Sequence, residues 1–311
     1  MGQASMDRRI AVAIPARNEA ENLPACLAAL GAAAAEAGAR LEIVVLANNC
    51  DDGTAGRIAG LDLGDRLDVE VVEVRLPPER AHAGWARRLA LDAGAEHLRD
   101  ADDLLLSTDA DTLVANDWLA RSLAYFDRGY AAVAGLARLK PWELRKLPDA
   151  HRARLAAIRR YDHAIGYLKA ARDASEPWPR HFYEGGASIA VTLWSYRAIG
   201  GAPTPSVGED KALFDAVRRT GGKVRHPVDV RVLTSPRLVG RAAGGTSDTL
   251  ALWGRLRDDD VISGVKTIAE NLDLKGAEGR ELTFRDLPAE LERARALVRL
   301  ARQSQDLAAA G

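Results

Sequence analysis

Over its first 126 residues the chain alternates between short apolar runs and longer amphipathic stretches, and that alternation limits the folds open to it. The runs at 10–14, 41–46, 69–74 and 104–108 are rich in Val, Ile, Leu and Ala. They are short and bounded by turn residues, which suits buried strands better than helices. The stretch after the first run carries Leu23, Leu27 and Leu30 on one helical stripe. Pro24 fits only the first turn of that helix, and Asn18 or Asn22 is placed to cap it. Residues 54–61, 84–97 and 117–126 read as further helices. Strands alternating with helices predict an α/β fold with a mostly parallel sheet covered on both faces.

The second half is less regular. Residues 131–139 read as a strand and 144–172 as a mostly helical, Arg-rich stretch that lies across the sheet or forms a lid. Glu184-Gly185-Gly186 opens a glycine turn that feeds a strand through Val191. A helix begins at Gly208-Glu209-Asp210, with Leu213, Phe214 and Val217 on its inner face, and short strands follow at 224–226 and 230–233. From residue 246 the chain is mainly helical and highly charged. The expected organisation is one α/β domain over 1–245, with 246–311 as a helical C-terminal extension packed on it.

In an open α/β sheet, ligands bind beyond the carboxyl ends of the strands. Three clusters fall at such places: Asn48 to Asp52, Asp109 with Asp111, and Glu209-Asp210. The apolar run Leu104-Leu105-Leu106 ends in Ser107-Thr108-Asp109-Ala110-Asp111. Two carboxylates one residue apart can approach one hard cation from one side. Mg²⁺ and Mn²⁺ are commonly held by one or two carboxylates plus substrate phosphates. Asp51 and Asp52 are equally well placed to cap the short helix that follows them.

Composition narrows the class. Lys and Arg number 43 against 44 Asp and Glu, for a net charge of -1, so no basic field points to nucleic acid. The two cysteines, Cys26 and Cys50, cannot build a disulfide framework and fit a reducing compartment. Residues 1–9 lack the apolar core of a signal peptide, and no uncharged apolar stretch of about 18 residues predicts a transmembrane segment. The expected location is cytoplasmic. Basic helix faces such as 152–160 would allow peripheral attachment to a membrane.

Four motifs in order carry a family resemblance: Ile14-Pro15-Ala16-Arg17-Asn18-Glu19, Asn48-Asn49-Cys50-Asp51-Asp52-Gly53-Thr54, Ser107-Thr108-Asp109-Ala110-Asp111 and Gly208-Glu209-Asp210. Together with the small residues from Gly185 to Ser188, they make residues 9–245 resemble a family 2 glycosyltransferase with the GT-A nucleotide-sugar fold. The resemblance implies an inverting transfer from a nucleoside-diphosphate-sugar donor to a sugar, lipid or small-molecule acceptor, assisted by Mn²⁺ or Mg²⁺. It places Pro15, Ala16, Asn18, Glu19 and Asn48 at the nucleotide. Relatives often have Asp where Asn48 stands, which leaves the base identity open. Arg87, Arg237 and Arg241 are implied near the donor phosphates, and a surface role suits each equally well. Asp109 is implied at the sugar or ribose, Asp111 at the metal, and Gly185 and Gly186 in the acceptor region. Asp210 is implied as general base with Glu209 orienting the acceptor or the loop; acids at a helix N-terminus are also favoured by its dipole. His226 is the best-placed histidine for a third metal ligand, although a structural role also fits it.

Two other readings keep the fold. A nucleotidyltransferase making nucleotide sugars would normally open with a glycine-rich basic loop, whereas Ala16-Arg17-Asn18-Glu19 stands there. A non-catalytic nucleotide-sugar-binding module would not need both Asp111 and Asp210.

Overall fold

The structure, a computed structural model, describes residues 8–172, 176–240, 245–274 and 281–310, with side chains described through 303 in the last helix. The first half runs β1 (Ile10–Ala16), α1 (Leu23–Ala37), β2 (Leu41–Asn48), α2 (Thr54–Ile58), β3 (Leu67–Val74), α3 (Ala83–Glu96), β4 (Leu104–Ser107), β5 (Leu113–Val114) and α4 (Trp118–Phe126). It continues through β6 (Ala132–Ala134), β7 (Leu136–Leu139), α5 (Pro141–Leu144), α6 (Asp149–Arg172), β8 (Ile189–Thr192), α7 (Leu193–Ala198) and α8 (Glu209–Arg219). The chain finishes with β9 (Val224–Arg225), β10 (Arg231–Thr234), α9 (Thr246–Arg255), α10 (Ile268–Asn271) and α11 (Leu287–Ala310).

Two compact units result. One comprises Met1–Lys140, Tyr183–Ser235 and Arg241–Gly245; the other comprises Pro141–Phe182, Pro236–Gly240 and Thr246–Gly311. The helical stretch expected from residue 246 thus groups with 141–182.

The first unit holds a seven-stranded sheet in the order β3-β2-β1-β4-β8-β6-β9 and a three-stranded sheet in the order β5-β10-β7. β3, β2, β1 and β4 are parallel neighbours, as alternating strands and helices require. β8 departs from that pattern: it runs antiparallel between β4 and β6. Side-chain alternation along β1 feeds two cores. Ile10, Val12 and Ile14 meet Leu23, Leu27 and Leu30 of α1, while Ala11 and Ala13 share the opposite core with Ala86, Ala90 and Leu91 of α3. Alanine on both surfaces lets α3 lie close to the sheet.

Two boundaries differ from the sequence expectation for clear reasons. β1 runs through Pro15 rather than stopping at Ile14. The Ala13 carbonyl accepts from the Thr108 amide, so Pro15, two residues on, faces the same side. β4 has already ended there at Ser107, and the missing N–H costs no ladder bond. The single strand expected over 131–139 is two strands in two sheets, broken at Gly135. A Cβ at Gly135 would lie 2.1 Å from Ser188 Oγ, and its amide donates to the Ser188 carbonyl at 2.9 Å.

In the second unit, α6 packs with α11 around Ile158, Tyr161, Ile165, Phe284, Leu287 and Leu291. Thr267 and Glu270 form a capping box at the start of α10. Among the described residues, no helix is long and apolar enough to cross a membrane.

Candidate active site

The loops after β1 and β2 are laced together at the sheet's carboxyl edge. Asn18, in the left-handed region at φ 55, donates its amide to Cys50 Sγ at 3.3 Å and accepts the Asp51 amide on Oδ1 at 3.0 Å. The Glu19 amide donates to Thr54 Oγ1 at 2.9 Å, and the Ala20 amide to Asp52 Oδ2 at 3.0 Å. Asp52 also accepts from the amide and hydroxyl of Thr54, at the first turn of α2. Burial works the other way, but these bonds hold the Asp52 carboxyl below its ordinary value. Asp52 is therefore a loop tie as well as a cap. Glu19 and Asn48 are both buried, and Glu19 Oε2 accepts from Asn22 Nδ2 at 2.7 Å.

Arg87 is the hub of the acidic groups. It projects from the first half of α3 and is 5% exposed. Its Nη2 lies 2.8 Å from Asp109 Oδ1 and its Nε 3.2 Å from Glu209 Oε1. Nη1 donates to Ser107 Oγ at 2.9 Å and to the Gly186 carbonyl at 3.1 Å. Burial disfavours the charge, yet Asp109 and Glu209 outweigh it and raise the guanidinium pKa. Every nitrogen of the fork is used, geometry that a lysine could not reproduce.

Gly186 joins the same hub. Its amide donates to Asp210 Oδ2 at 2.9 Å. A Cβ there would lie 1.9 Å from Arg87 Nη2, so only glycine admits the guanidinium at this distance. Asp210 Oδ1 accepts the Lys211 amide at 2.7 Å. Burial, and then the charge of Glu209, push the Asp210 carboxyl above its ordinary value, against the pull of Lys211 and Arg87.

Asp111 lies at the other end of the acidic pair, 6% exposed. Its Oδ1 accepts from Thr234 Oγ1 at 3.2 Å and from Thr112 Oγ1 at 3.5 Å. Behind the pair, burial and the charges of Asp111 and Asp109 push the Cys26 thiol up to about 12. The buried Lys140 opposes that push on the thiol. The two carboxylates, with the Thr112 and Thr234 hydroxyls on Asp111, still offer the oxygen donors that suit a hard divalent cation. Among the described residues, no group of three or more His, Cys, Asp or Glu side chains could by itself hold a metal. An ion there would be completed by substrate oxygens.

The model of glycosyl transferase family 2 matches residues 11–190, more than half of the 311-residue chain. The chain belongs to that family.

A comparison with curated proteins by sequence returned no match. Among solved structures, S. aureus TarS 1–349 in complex with UDP-GlcNAc aligns with this family 2 member at a TM-score of 0.52 and 13% identity, over 91% of this chain and 70% of that one. The mannosyltransferase PcManGT from Pyrobaculum calidifontis, in complex with GDP-Man and Mn²⁺, aligns at 0.49 and 20%, over 99% and 77%. Glucosyl-3-phosphoglycerate synthase from Mycobacterium tuberculosis, in complex with Mn²⁺, UDP and phosphoglyceric acid, aligns at 0.47 and 18%, over 82% and 81%. The TarS likeness is one of fold, the GT-A arrangement.

The residues singled out in the sequence do not all meet. Asp109, Glu209, Asp210, Gly186 and Arg87 form one bonded cluster. His226 Nε2 instead lies 2.9 Å from Glu184 Oε1 and 3.3 Å from Arg218 Nη2. Gly185 accepts the Ser188 amide on its carbonyl, closing the turn. Arg237 lies in the second unit, and Arg241 lies outside the described residues. Sequence reasoning assigned no role to Ser107, Thr234 or Glu184. Ser107 stood inside a quoted motif, but nothing local distinguishes a site hydroxyl from a loop hydroxyl.

Proposed function

We propose that this chain moves a sugar from a nucleoside-diphosphate-sugar to an acceptor hydroxyl with inversion. The observation that carries the reading is the hub: Arg87 joins Asp109, after β4, to Glu209, at the start of α8, and Gly186 ties Asp210 to the same guanidinium. Acids 101 residues apart in the chain therefore share one cluster (109 and 210). Pro15, Ala16, Asn18, Glu19 and Asn48 lie on the laced loops beside it and would hold the nucleotide. An Asn amide at 48 can both donate to and accept from a base edge.

Asp210 takes the proton from the acceptor hydroxyl as that oxygen attacks the anomeric carbon. Two backbone N–H groups orient its carboxylate, and its raised pKa makes it a stronger base than an exposed Asp. One displacement inverts the anomeric centre. Asp111, with Asp109 beside it, would hold Mn²⁺ or Mg²⁺, which when bound supplies neutralisation of the diphosphate leaving group. His226 is left out of the ligand set because its Nε2 faces Glu184. Arg87 is assigned to the carboxylates rather than to the donor phosphates, since four of its five N–H groups are engaged within the chain.

The test is release of nucleoside diphosphate from UDP-GlcNAc and GDP-mannose with Mn²⁺, the first of these being the ligand of TarS. Asp210→Asn is expected to keep nucleotide affinity and to lose turnover by about 10²–10⁴-fold. Because Asp210 must be ionised to act and holds its proton to higher pH than usual, the acidic limb of kcat/KM is expected above the ordinary Asp value of about 4. Full turnover by Asp210→Asn sinks the base assignment. Pyrophosphate release from sugar phosphate and nucleoside triphosphate would instead select a nucleotidyltransferase, and binding without turnover a non-catalytic module.

A further inference from the structure

The turn that carries Gly186 is fastened to α8 near both ends of that helix. At the N-terminal end the Gly186 amide donates to Asp210 Oδ2 at 2.9 Å. In the last turn, Arg218 Nη2 donates to Glu184 Oε1, two residues before Gly186. His226, just past β9, brings Nε2 to 2.9 Å from the same oxygen, and Arg218 Nη1 is anchored on Asp215 Oδ1 at 2.8 Å. The Glu184 and His226 side chains are only 9% and 11% exposed, so solvent screens this pairing little. Burial alone would raise the Glu184 pKa, but His226 and Arg218 hold it below the ordinary value.

The placement matters because of how Asp210 is oriented. Its bond from Lys211 comes from the next residue and travels with α8. The bond from Gly186 refers the carboxylate to the loop that also carries the Arg87 contact. If the turn drifts, that reference is lost. An ordinary helix-end ion pair would stabilise α8 without setting the direction of a side chain at its far end.

We propose that Glu184, Arg218 and His226 form a positioning clamp that sets the turn, and through the Gly186 N–H sets the carboxylate of Asp210. The clamp rests on the reading of Asp210 as general base. Its three members touch no reacting atom. Their effect falls on the rate of the chemical step, because small misplacement of a reacting group from remote changes costs up to about 10²-fold.

The test compares Arg218→Ala, Arg218→Lys and Glu184→Ala in the full chain by two measurements. The first is hydrogen exchange of a peptide spanning residues 184–188. The second is kcat and KM for nucleoside diphosphate release from whichever of UDP-GlcNAc and GDP-mannose the wild type turns over. Arg218→Ala is expected to speed exchange in that peptide, lower kcat by about 10–10²-fold and keep the donor KM within about twofold. Arg218→Lys, which keeps a charge for Glu184, is expected to recover most of kcat. Unchanged exchange in Arg218→Ala overturns the clamp. So does faster exchange with unchanged kcat, which would make the pairing merely structural, or a loss divided equally between kcat and KM. Should Glu184→Ala fail to fold, the half-exposed Arg218 variants still decide the matter. Full turnover by Asp210→Asn removes the base assignment, whereas loss there with normal Arg218→Ala kinetics removes the clamp alone.

Discussion

Arg87 shows how far the partners that packing supplies define a single side chain's role. The family resemblance put Arg87 near the donor phosphates. Four of its five N–H positions meet two carboxylates, a hydroxyl and a carbonyl of the chain itself. Removing the charge would leave Glu209, 9% exposed, and Asp109, 35% exposed, without their cation. Arg87→Met is therefore expected to destabilise the fold by about 3 kcal/mol, near the low end for a broken buried pair because Asp109 retains some water. Arg87→Lys keeps the charge but not the fork, and should fall between Met and wild type. Urea unfolding measures both; a wild-type midpoint for Arg87→Met would rule out the hub as a stabilising element.

At the scale of the element, α3 does more than cover the sheet. Arg87 points from it into the acidic cluster, while Arg88 donates to the Ala202 carbonyl at 3.1 Å and pairs with Asp92 at 2.5 Å. Gly84, in its first turn, sits under the loop that leads to α8: a Cβ there would lie 2.2 Å from the Pro205 carbonyl oxygen. One helix thus holds both the ion hub and the backbone leading into Glu209 and Asp210. Gly84→Ala pushes against backbone, which yields less readily than a side chain. It is expected to cost about 1–3 kcal/mol, as overpacking does, and to lower turnover with it. Equal stability of variant and wild type in urea would show that the loop can shift freely.

For the whole molecule, parallel strands deliver their carboxyl ends, and the motif loops that follow, to one edge of the sheet. On the proposed reading, a nucleotide and a cation bound there would stabilise the native state by mass action, about 2.7 kcal/mol when ligand exceeds its Kd a hundredfold. The melting temperature with UDP or GDP is therefore expected to rise further when Mn²⁺ is added. In Asp111→Ala the Mn²⁺-dependent increment should vanish while any metal-independent increment remains. An unchanged increment would place the ion elsewhere.

The parts legible from sequence were those with local causes. Strand and helix existence followed from apolar periodicity, and β1, β2, β3, β4, α1, α3 and α4 stand within a few residues of where the pattern put them. Order did the rest, since four motifs in succession identified the family. The C-terminal stretch was legible as helix but not as a partner of 141–182, because a charged amphipathic pattern does not say which helix it will meet. The break at Gly135 depended on Ser188, which lies 53 residues further on (188 − 135), and the place of β8 depended on strands before it on the chain. Arg87 finds Glu209 across 122 residues, and His226 finds Glu184 across 42. Propensity and spacing act over a few residues and so were written in the chain; the choice among distant charged partners is made by packing, and only the folded sheet and its helices could make it.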